Sequence, residues 1–400
     1  MTLLGAPLLV LLGVLTVAAP VLAFVLWSRL PGPLAVRGLI RLAMVVTSQI
    51  VAVCLVAAAV NDYEYFYKSW SELAGGAAQF AGSPPATGAP RTAPNDRQHG
   101  RLGRGGRISA RTDTSFSTAA QWTSRGRLES VQIEGELSRL KSHAFVYLPP
   151  QYFQPAYRHT LFPALEVFTG YPGIDQYLIA RLRYQDVLLD LIRRQAARPM
   201  VLIMMRPSVT FPLDSECTDV PAGPQAFTFF ADDVPTQVAS NYRVLPTGWG
   251  TIGDSTGAYC ATKLAMLHPE VFNAAAEMSG YFFALKDRTT GDLWGGSRVI
   301  RDLNDLKWRL AHLPAPPVSI LVGTSKSEKG PDGYAEARRF VRLVKAPMTA
   351  DMMTVPHGGH NTATWTAEIP AALTWLSERI APAGASASGL PQTDLGEAAT

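Results

Sequence analysis

The hydrophobic positions divide the chain into two regions with different periodicity. Near the N-terminus, two apolar runs, from about Leu3 to Trp27 and from Leu42 to Val60, contain no charged residue. Each run is close to the roughly 20 residues that a helix needs to cross a bilayer. The pattern therefore predicts two transmembrane helices, and we assign residues 1–61 to a two-helix anchor.

The charges beside these runs predict their orientation. Arg29, Arg37 and Arg41 lie between the runs with no acid, whereas the charges after residue 61 are balanced. Positive loops stay in the cytoplasm, so we expect the remainder of the chain on the outer face of the cell membrane. A signal peptide cleaved after Ala23 is the alternative, but the run lacks a basic start and continues past that residue. Both interpretations export the rest of the chain.

The next segment has a composition that does not suit a buried core. From about residue 75 to residue 120 it is rich in Gly, Pro and Ala, with six arginines at positions 91, 97, 101, 104, 107 and 111. We predict that residues 62–125 form a juxtamembrane segment and a flexible linker. The arginines are interpreted as a solvated tether, with adhesion to anionic lipid headgroups or to phosphate-bearing wall polymers as the alternative. No nucleic-acid motif is present, so no nucleic-acid partner is expected.

From about Gly126 onwards, short apolar runs alternate with helical patterns. This alternation predicts a mostly parallel sheet with helices on both faces, so residues 126–382 are expected to form one α/β domain and residues 383–400 a disordered tail. Strands are predicted at Ala144–Leu148, Leu161–Phe168, Met200–Met205, Trp249–Ile252, Val318–Val322 and Ala350–Val355, and helices at Gln176–Gln195, Thr256–His268, Gly333–Val344 and Trp365–Ile380.

Composition adds information on the compartment. Only 17% of the residues are charged, against about 25% in an average soluble domain, which agrees with the apolar N-terminus. Of the three cysteines, Cys54 lies in the second apolar run, while Cys217 and Cys260 lie in the exported part, where a disulfide can persist. Sequence alone leaves open whether these two meet.

The candidate nucleophile is Ser255, in the turn Gly253-Asp254-Ser255-Thr256-Gly257. A predicted strand precedes this turn and a helical stretch follows it, which is the context of a nucleophile elbow. Glycines flank the serine because the turn is strained and the helix passes close to the strand. The N-terminus of that helix also favours negative charge on an oxyanion beside it.

A serine hydroxyl needs a base, and in this arrangement the histidine comes last in the chain. Three of the seven histidines precede Ser255, His268 lies on the elbow helix, and His312 lies before the late strand. His357 and His360 remain, in a glycine-containing loop before the last helix. We assign the base to His360.

The acid that orients such a histidine is expected in the loop after Val318–Val322. Glu328 is the first carboxylate there, followed by Asp332 and Glu336. We favour Glu328 and leave the other two open.

The oxyanion hole is expected to combine two backbone N–H groups. One belongs to Thr256, directly after the nucleophile. The other comes from the loop Phe168-Thr169-Gly170-Tyr171-Pro172-Gly173, where Tyr171 is the candidate donor. The glycines of this loop let the backbone approach a substrate oxygen.

With these motifs, the chain resembles the esterase family of esterase D and the antigen 85 mycolyltransferases, and especially its membrane-anchored actinobacterial members. The resemblance implies an α/β-hydrolase fold, no metal or organic cofactor, and acyl transfer through a Ser255 acyl-enzyme to water or a sugar hydroxyl. In the mycolyltransferases a leucine stands where this chain has Tyr171, and their helical glutamate could correspond to Glu336. The segments that carry the resemblance are Val146–Pro150, Thr169–Gly173, Gly253–Gly257, Tyr259–Ala261, and Gly358–Asn361 with Trp365.

Two functions follow from these observations. The first is an esterase or acyltransferase at the outer face of the membrane, with a small-molecule, lipid or glycolipid ester as substrate. The second is a catalytically silent module that binds the cell envelope and has kept the fold. The sequence does not predict an oligomeric state.

Overall fold

The computed structural model describes residues 2–74 and 106–384. Its centre is a nine-stranded sheet with the order β1-β2-β3-β5-β4-β6-β7-β8-β9. The strands are β1 (Arg107–Asp113), β2 (Arg127–Glu134), β3 (Lys141–Leu148), β4 (Ala164–Phe168), β5 (Val201–Met205), β6 (Trp249–Asp254), β7 (Phe272–Met278), β8 (Ser319–Ser325) and β9 (Thr349–Val355).

The pairing of neighbouring strands changes once across the sheet, from antiparallel to parallel. The pairings from β1 to β3, and that of β3 with β5, are antiparallel. All pairings from β5 to β9 are parallel. The central strands are covered on both faces, which explains continuous apolar runs such as Val201–Met205, all of it buried. The prediction of a mostly parallel sheet is confirmed.

Helices cover both faces of this sheet. Along β5, Ile203 belongs to a core that includes Leu264, whereas its neighbour Leu202 belongs to a second core that includes Leu373. The α-helices are Ala6–Leu26, Leu34–Glu64, Trp122–Arg125, Asp175–Ala180, Tyr184–Arg193, Ala226–Thr228, Val234–Asn241, Thr256–Leu267, Arg298–Leu303, Leu306–His312, Tyr334–Leu343 and Thr362–Arg379, with a π-helical turn at Phe229–Asp233 and 3₁₀ turns at Ala119–Gln121, Pro150–Phe153 and Pro155–Tyr157.

Two predicted boundaries are wrong. The helix predicted at Gln176–Gln195 is interrupted at Arg183, whose φ of 52° is left-handed and does not continue an α-helix. The predicted linker extends too far, because Arg107–Asp113 is strand β1 and pairs with β2. Acids of β2 neutralise its arginines, as in the ion pair of Arg107 with Glu134 (3.1 Å), which the average composition of the segment does not reveal.

Positions 75–105 of the predicted linker, with the arginines at positions 91, 97, 101 and 104, lie outside the described residues. The same holds for positions 385–400 of the predicted tail.

The two N-terminal helices form an antiparallel hairpin. Both are long and apolar enough to cross a membrane, criteria that a signal sequence near an N-terminus also meets. The backbone N–H of Gly5 donates to Asp62 Oδ1 (2.7 Å), so the start of the first helix lies beside the end of the second. Leu3, Leu8 and Ala58 form a small buried cluster at this end.

The end of the second helix packs against the α/β domain. Tyr65, with a left-handed φ of 56°, terminates the helix, and its carbonyl accepts a hydrogen bond from the N–H of Ile174 (3.1 Å). Arg181 donates to the carbonyls of Tyr63 (2.8 Å) and Asp62 (3.1 Å). These contacts hold the helix end at the carboxyl edge of the parallel strands, next to the loop that follows β4.

Candidate active site

The turn between β6 and the helix Thr256–Leu267 holds Ser255 in a strained conformation. Its φ of 54° and ψ of −122° lie where only glycine is comfortable. The carbonyl of Ser255 accepts from the N–H of Ala258 (3.0 Å), which starts the helix directly after the serine. The strand–turn–helix predicted around Ser255 is present.

The flanking glycines are required by close backbone contacts. A Cβ on Gly253 would lie 2.4 Å from the backbone of Gly257, and a Cβ on Gly257 would lie 2.7 Å from the carbonyl oxygens of Phe168 and Thr169. Real Cβ atoms do not approach so closely. The two glycines therefore let the elbow helix cross over the ends of β6 and β4.

His360 is positioned by the turn that begins the last helix. Asn361 caps this helix, its side chain accepting from the N–H of Thr364 (3.1 Å), and the N–H of Gly359 donates to Thr364 Oγ1 (3.0 Å). The imidazole packs edge-to-face on Trp365, with ring centroids 5.2 Å apart. In this position His360 Nε2 lies 2.9 Å from Ser255 Oγ.

Two carboxylates share the other imidazole nitrogen. Glu328 Oε1 lies 3.0 Å and Asp332 Oδ2 lies 2.9 Å from His360 Nδ1. The Glu328 side chain is 3% exposed and accepts from Ser279 Oγ (2.9 Å), whereas that of Asp332 is 21% exposed. Glu336, the third acid considered, pairs instead with Lys307 (2.5 Å).

The charges of this group favour a protonated imidazole. Burial lowers the pKa of His360, but the hydrogen bonds and charges of Asp332 and Glu328 outweigh it and raise the pKa to about 9. For Asp332, burial by itself raises the pKa, but the hydrogen bond and charge of His360 outweigh burial, and the pKa of Asp332 is lowered. The ligand atoms of these three side chains lie within 4.8 Å of one another, close enough to hold a metal ion. The hydrogen bond between His360 Nε2 and Ser255 Oγ also gives the serine proton a direct path to the imidazole.

The loop after β4 is anchored to the elbow. The N–H of Gly170 donates to Asp254 Oδ2 (2.9 Å), and burial raises the pKa of this aspartate to about 7. A Cβ on Gly170 would lie 2.9 Å from Ser255 Cβ. The hydroxyl of Tyr171 donates to the carbonyl of Pro212 (2.9 Å) and holds the next residue of the loop. The two predicted oxyanion donors thus belong to segments that meet at the serine.

A cavity of about 400 Å³ opens over Ser255 and His360. Part of its wall lies outside the sequence motifs and consists of Val60 and Glu64 at the end of the second apolar helix and Phe66 just after it. Thr362 Oγ1 donates to Glu64 Oε2 (3.2 Å) across this wall. The sequence at the end of a predicted membrane span does not indicate which surface of the protein these residues contact.

A disulfide between Cys217 and Cys260 links a loop to the buried face of the elbow helix, with Cα atoms 5.3 Å apart. Beside it, Lys263 Nζ donates to the carbonyl of Cys217 (2.7 Å) and to Thr218 Oγ1 (2.8 Å), and burial lowers the pKa of this lysine to about 7. Cys54 is free. The disulfide therefore fixes the helix that follows Ser255 to the loop that contains Cys217.

Comparison with known sequences identifies relatives of the domain that holds this site. The sequence model of a family described as "Putative esterase" matches residues 139–376, more than half of the chain. The MPT51/MPB51 antigen of Mycobacterium tuberculosis is 33% identical over 69 residues, which are 17% of this chain and 23% of the antigen. The MPT51 antigen of Mycobacterium leprae is 30% identical over the same length. The match thus spans about a quarter of the length of these curated relatives.

Comparison with solved structures identifies the fold. An S-formylglutathione hydrolase from Agrobacterium tumefaciens superposes with a TM-score of 0.56 at 14% identity, over 69% of this chain and all of that chain. A ferulic acid esterase superposes with a TM-score of 0.53 at 16% identity, over 65% of this chain and all of the esterase. At such identities the likeness concerns the fold alone, and it confirms the predicted α/β-hydrolase fold.

Proposed function

The chain belongs to the Putative esterase family, and we propose that it is a serine esterase or acyltransferase that works through a Ser255 acyl-enzyme. The single observation that carries this proposal is the hydrogen-bonded chain from Ser255 Oγ through His360 to Glu328, with distances of 2.9 and 3.0 Å. A serine, a histidine and a buried acid in this order form the group that activates a hydroxyl for attack on an ester.

In the first step, Ser255 Oγ attacks the ester carbonyl carbon while His360 Nε2 accepts the hydroxyl proton. Collapse of the tetrahedral intermediate breaks the bond to the alcohol oxygen, and the same proton passes from His360 to the departing alcohol. Glu328 stabilises the imidazolium and fixes its orientation, and Ser279 holds Glu328 in place. Asp332 adds a second, more exposed carboxylate to the same nitrogen.

The negative charge on the carbonyl oxygen requires donors that are already in place. The N–H of Thr256 stands in the first turn of the elbow helix, where N–H groups have no partner within the helix. We propose that it acts together with the N–H of Tyr171. The hydrogen bond of Gly170 to Asp254 supports this pairing, because it fixes the loop against the elbow.

In the second step, the acyl group leaves Ser255 for an oxygen nucleophile. Water gives hydrolysis and an alcohol gives transfer; in both cases His360 removes the proton of the nucleophile and returns it to Ser255 Oγ. The proposed substrate is an ester, and no cofactor takes part in these steps.

We further propose that the reaction takes place at the outer face of the cell membrane. Arg29 in the connection between the two apolar helices, with Arg37 and Arg41 in the first turns of the second helix, supports a cytoplasmic location for this end of the hairpin, which leaves the α/β domain outside. The wall formed by Val60, Glu64 and Phe66 supports a cavity next to the bilayer surface. Tyr63, Tyr65 and Trp70 lie at or after the end of the second span, where aromatic residues are common at membrane interfaces.

One experiment tests both chemistry and placement. A charged fluorophosphonate probe that does not cross membranes is applied to intact cells and to lysed cells that produce the full chain. We expect labelling of Ser255 in intact cells and loss of labelling in Ser255→Ala, because the probe needs an activated serine. Labelling only after lysis would reverse the topology, and no labelling in either sample would favour the silent binding module.

A further inference from the structure

A second cavity adjoins the active site at the end of the second apolar helix. It measures about 510 Å³ and lies between the two N-terminal helices and the segment that follows them. Val60 and Phe66 line both this cavity and the one over Ser255. The two cavities therefore share part of their walls.

The surface of this second cavity is apolar. Its walls include Leu8 and Leu12 of the first helix, Ala57 of the second, and Leu73 of the following segment. Polar atoms in the lining belong to Asn61, Tyr67 and Trp70. Both ends of the Asn61 amide are occupied, since Nδ2 donates to the carbonyl of Tyr67 (3.1 Å) and Oδ1 accepts from the N–H of Tyr67 (2.9 Å). A site of this kind suits hydrocarbon, since it gives water few hydrogen-bonding partners.

We propose that this cavity, named here the anchor cavity, binds the alkyl chain of an ester whose carbonyl lies at Ser255. The proposal rests on the proposed function, because it requires an acyl group on that serine. The two cavities adjoin at Val60 and Phe66, so an alkyl chain that leaves the serine along these side chains reaches the apolar space of the second cavity. The substrate class is then a long-chain acyl ester, and the two N-terminal helices form part of its binding site.

The surroundings of the anchor cavity favour an alkyl chain over another occupant. The cavity lies largely between two helices that are long and apolar enough to cross a bilayer, so in the proposed membrane placement its neighbours on the outside are lipid tails. The hydrogen bonds of Arg181 to the carbonyls of Tyr63 and Asp62 hold it against the α/β domain. Each methylene group that leaves water contributes roughly fourfold to binding, which gives long chains a large advantage over short ones.

The test uses the full chain in lipid nanodiscs and two fluorophosphonates, with an ethyl and a dodecyl chain. The quantity measured is the ratio of their rate constants for labelling Ser255. Ala58 is buried and lines the anchor cavity, so Ala58→Leu fills part of it. We expect the dodecyl-to-ethyl ratio to fall by about tenfold in this variant, because part of the chain no longer fits.

The matched control is Ala43→Leu, an equal change at an exposed position of the same helix that lines neither cavity. There the ratio should stay within about twofold of the wild type. An equal fall in both variants would overturn the proposal, as would a ratio that Ala58→Leu leaves unchanged.

A second measurement uses the wild-type protein, so its outcome does not depend on whether a variant folds. A dodecyl fluorophosphonate with a photoreactive group at the chain end is attached to Ser255 of the wild type and irradiated. Cross-links to peptides that contain Leu8, Leu12 or Ala57 are expected; cross-links confined to the α/β domain or to free lipid would refute the anchor cavity as the acyl site. If neither probe labels Ser255 at all, the proposed function fails, whereas labelling at equal rates by both probes removes only the acyl-chain site.

Discussion

The active-site cavity has two walls of different origin. One wall, the catalytic wall, belongs to the α/β domain and contains Gly170, Ser255 and His360. The other, the anchor wall, is formed by Val60 and Glu64 at the end of the second apolar helix and by Phe66 just after it. In the first wall, neighbouring atoms lie so close to the glycines that an added Cβ does not fit. The second wall needs an apolar surface of suitable shape, which many side chains provide. Motifs therefore mark the first wall and leave the second without a signal.

The same difference predicts how the two walls respond to substitution. Changes on the catalytic wall should affect the transition state, and hence kcat. Changes on the anchor wall should affect mainly which substrates fit.

The largest effect is expected for Gly170→Ala. The added methyl group would lie 2.9 Å from Ser255 Cβ and 3.1 Å from Asp254 Oδ2, so the loop that carries the Tyr171 N–H must move away. Loss of one oxyanion donor lowers kcat by roughly 10²–10³-fold. Steady-state kinetics on a soluble p-nitrophenyl ester should record this fall with a smaller change in KM.

Gly38→Ala is the matched control for this substitution. Gly38 lies in the second apolar helix with no atom within 4 Å of an added Cβ, so its kcat should equal that of the wild type within about twofold. If Gly170→Ala retained full kcat, the steric difference between the walls would be refuted.

A medium effect is expected when the two acids are compared. In Glu328→Gln, kcat/KM should fall by about tenfold, less than the roughly 10⁴-fold seen for a lone acid, because Asp332 still contacts His360 Nδ1. In Asp332→Asn the fall should be about threefold, since this carboxylate is more exposed and holds the imidazole less firmly. A larger loss in Asp332→Asn would identify Asp332 as the main acid.

The pH dependence of the same variants provides an independent check. His360 must be neutral to accept a proton, and its raised pKa of about 9 means that kcat/KM should increase with pH up to that value. Removal of either carboxylate charge takes away a stabilising partner of the imidazolium and lowers the pKa of His360. The rising limb of the pH–rate profile should therefore shift to lower pH in both variants, and an unshifted limb would contradict the shared contact.

The smallest effect is expected for Glu64→Gln on the anchor wall. The amide keeps the volume and the acceptor oxygen that Thr362 contacts, so kcat/KM for a neutral ester should change by no more than about twofold. A loss of tenfold or more would mean that the anchor wall takes part in the chemistry, and the contrast between the walls would no longer hold.

Much of the α/β architecture could be predicted from the sequence, because buried parallel strands are continuous apolar runs with helical patterns between them. Strand β7 was missed: Phe272–Met278 is rich in alanine and contains a buried Glu277, and pairing with β6 and β8 imposes its conformation. Strand β1 was missed because its arginines resemble those of a tether until the acids of β2 are placed beside them.

The candidate site was predictable to the extent that chain order and glycine spacing reflect backbone geometry. These features predicted that Ser255, His360 and Glu328 would meet, and the structure brings their side chains together. The contact of Asp332 with His360 could not be predicted, because the positions of Glu328 and Asp332 relative to the imidazole depend on the backbone conformation of the loop that carries both acids. Nor could the contact of the second helix with the site, because apolar composition does not specify a partner surface.

The contacts between Arg181 and the end of the second helix have a consequence for where the enzyme can react. If the second helix crosses the bilayer as proposed above, its position along the membrane normal is fixed, and these hydrogen bonds transmit that position to the α/β domain. Ser255 is then held at one height above the lipid surface. The protein would select among esters by their depth in the leaflet, reaching those near the headgroups and passing over those buried deeper or extended far into the medium.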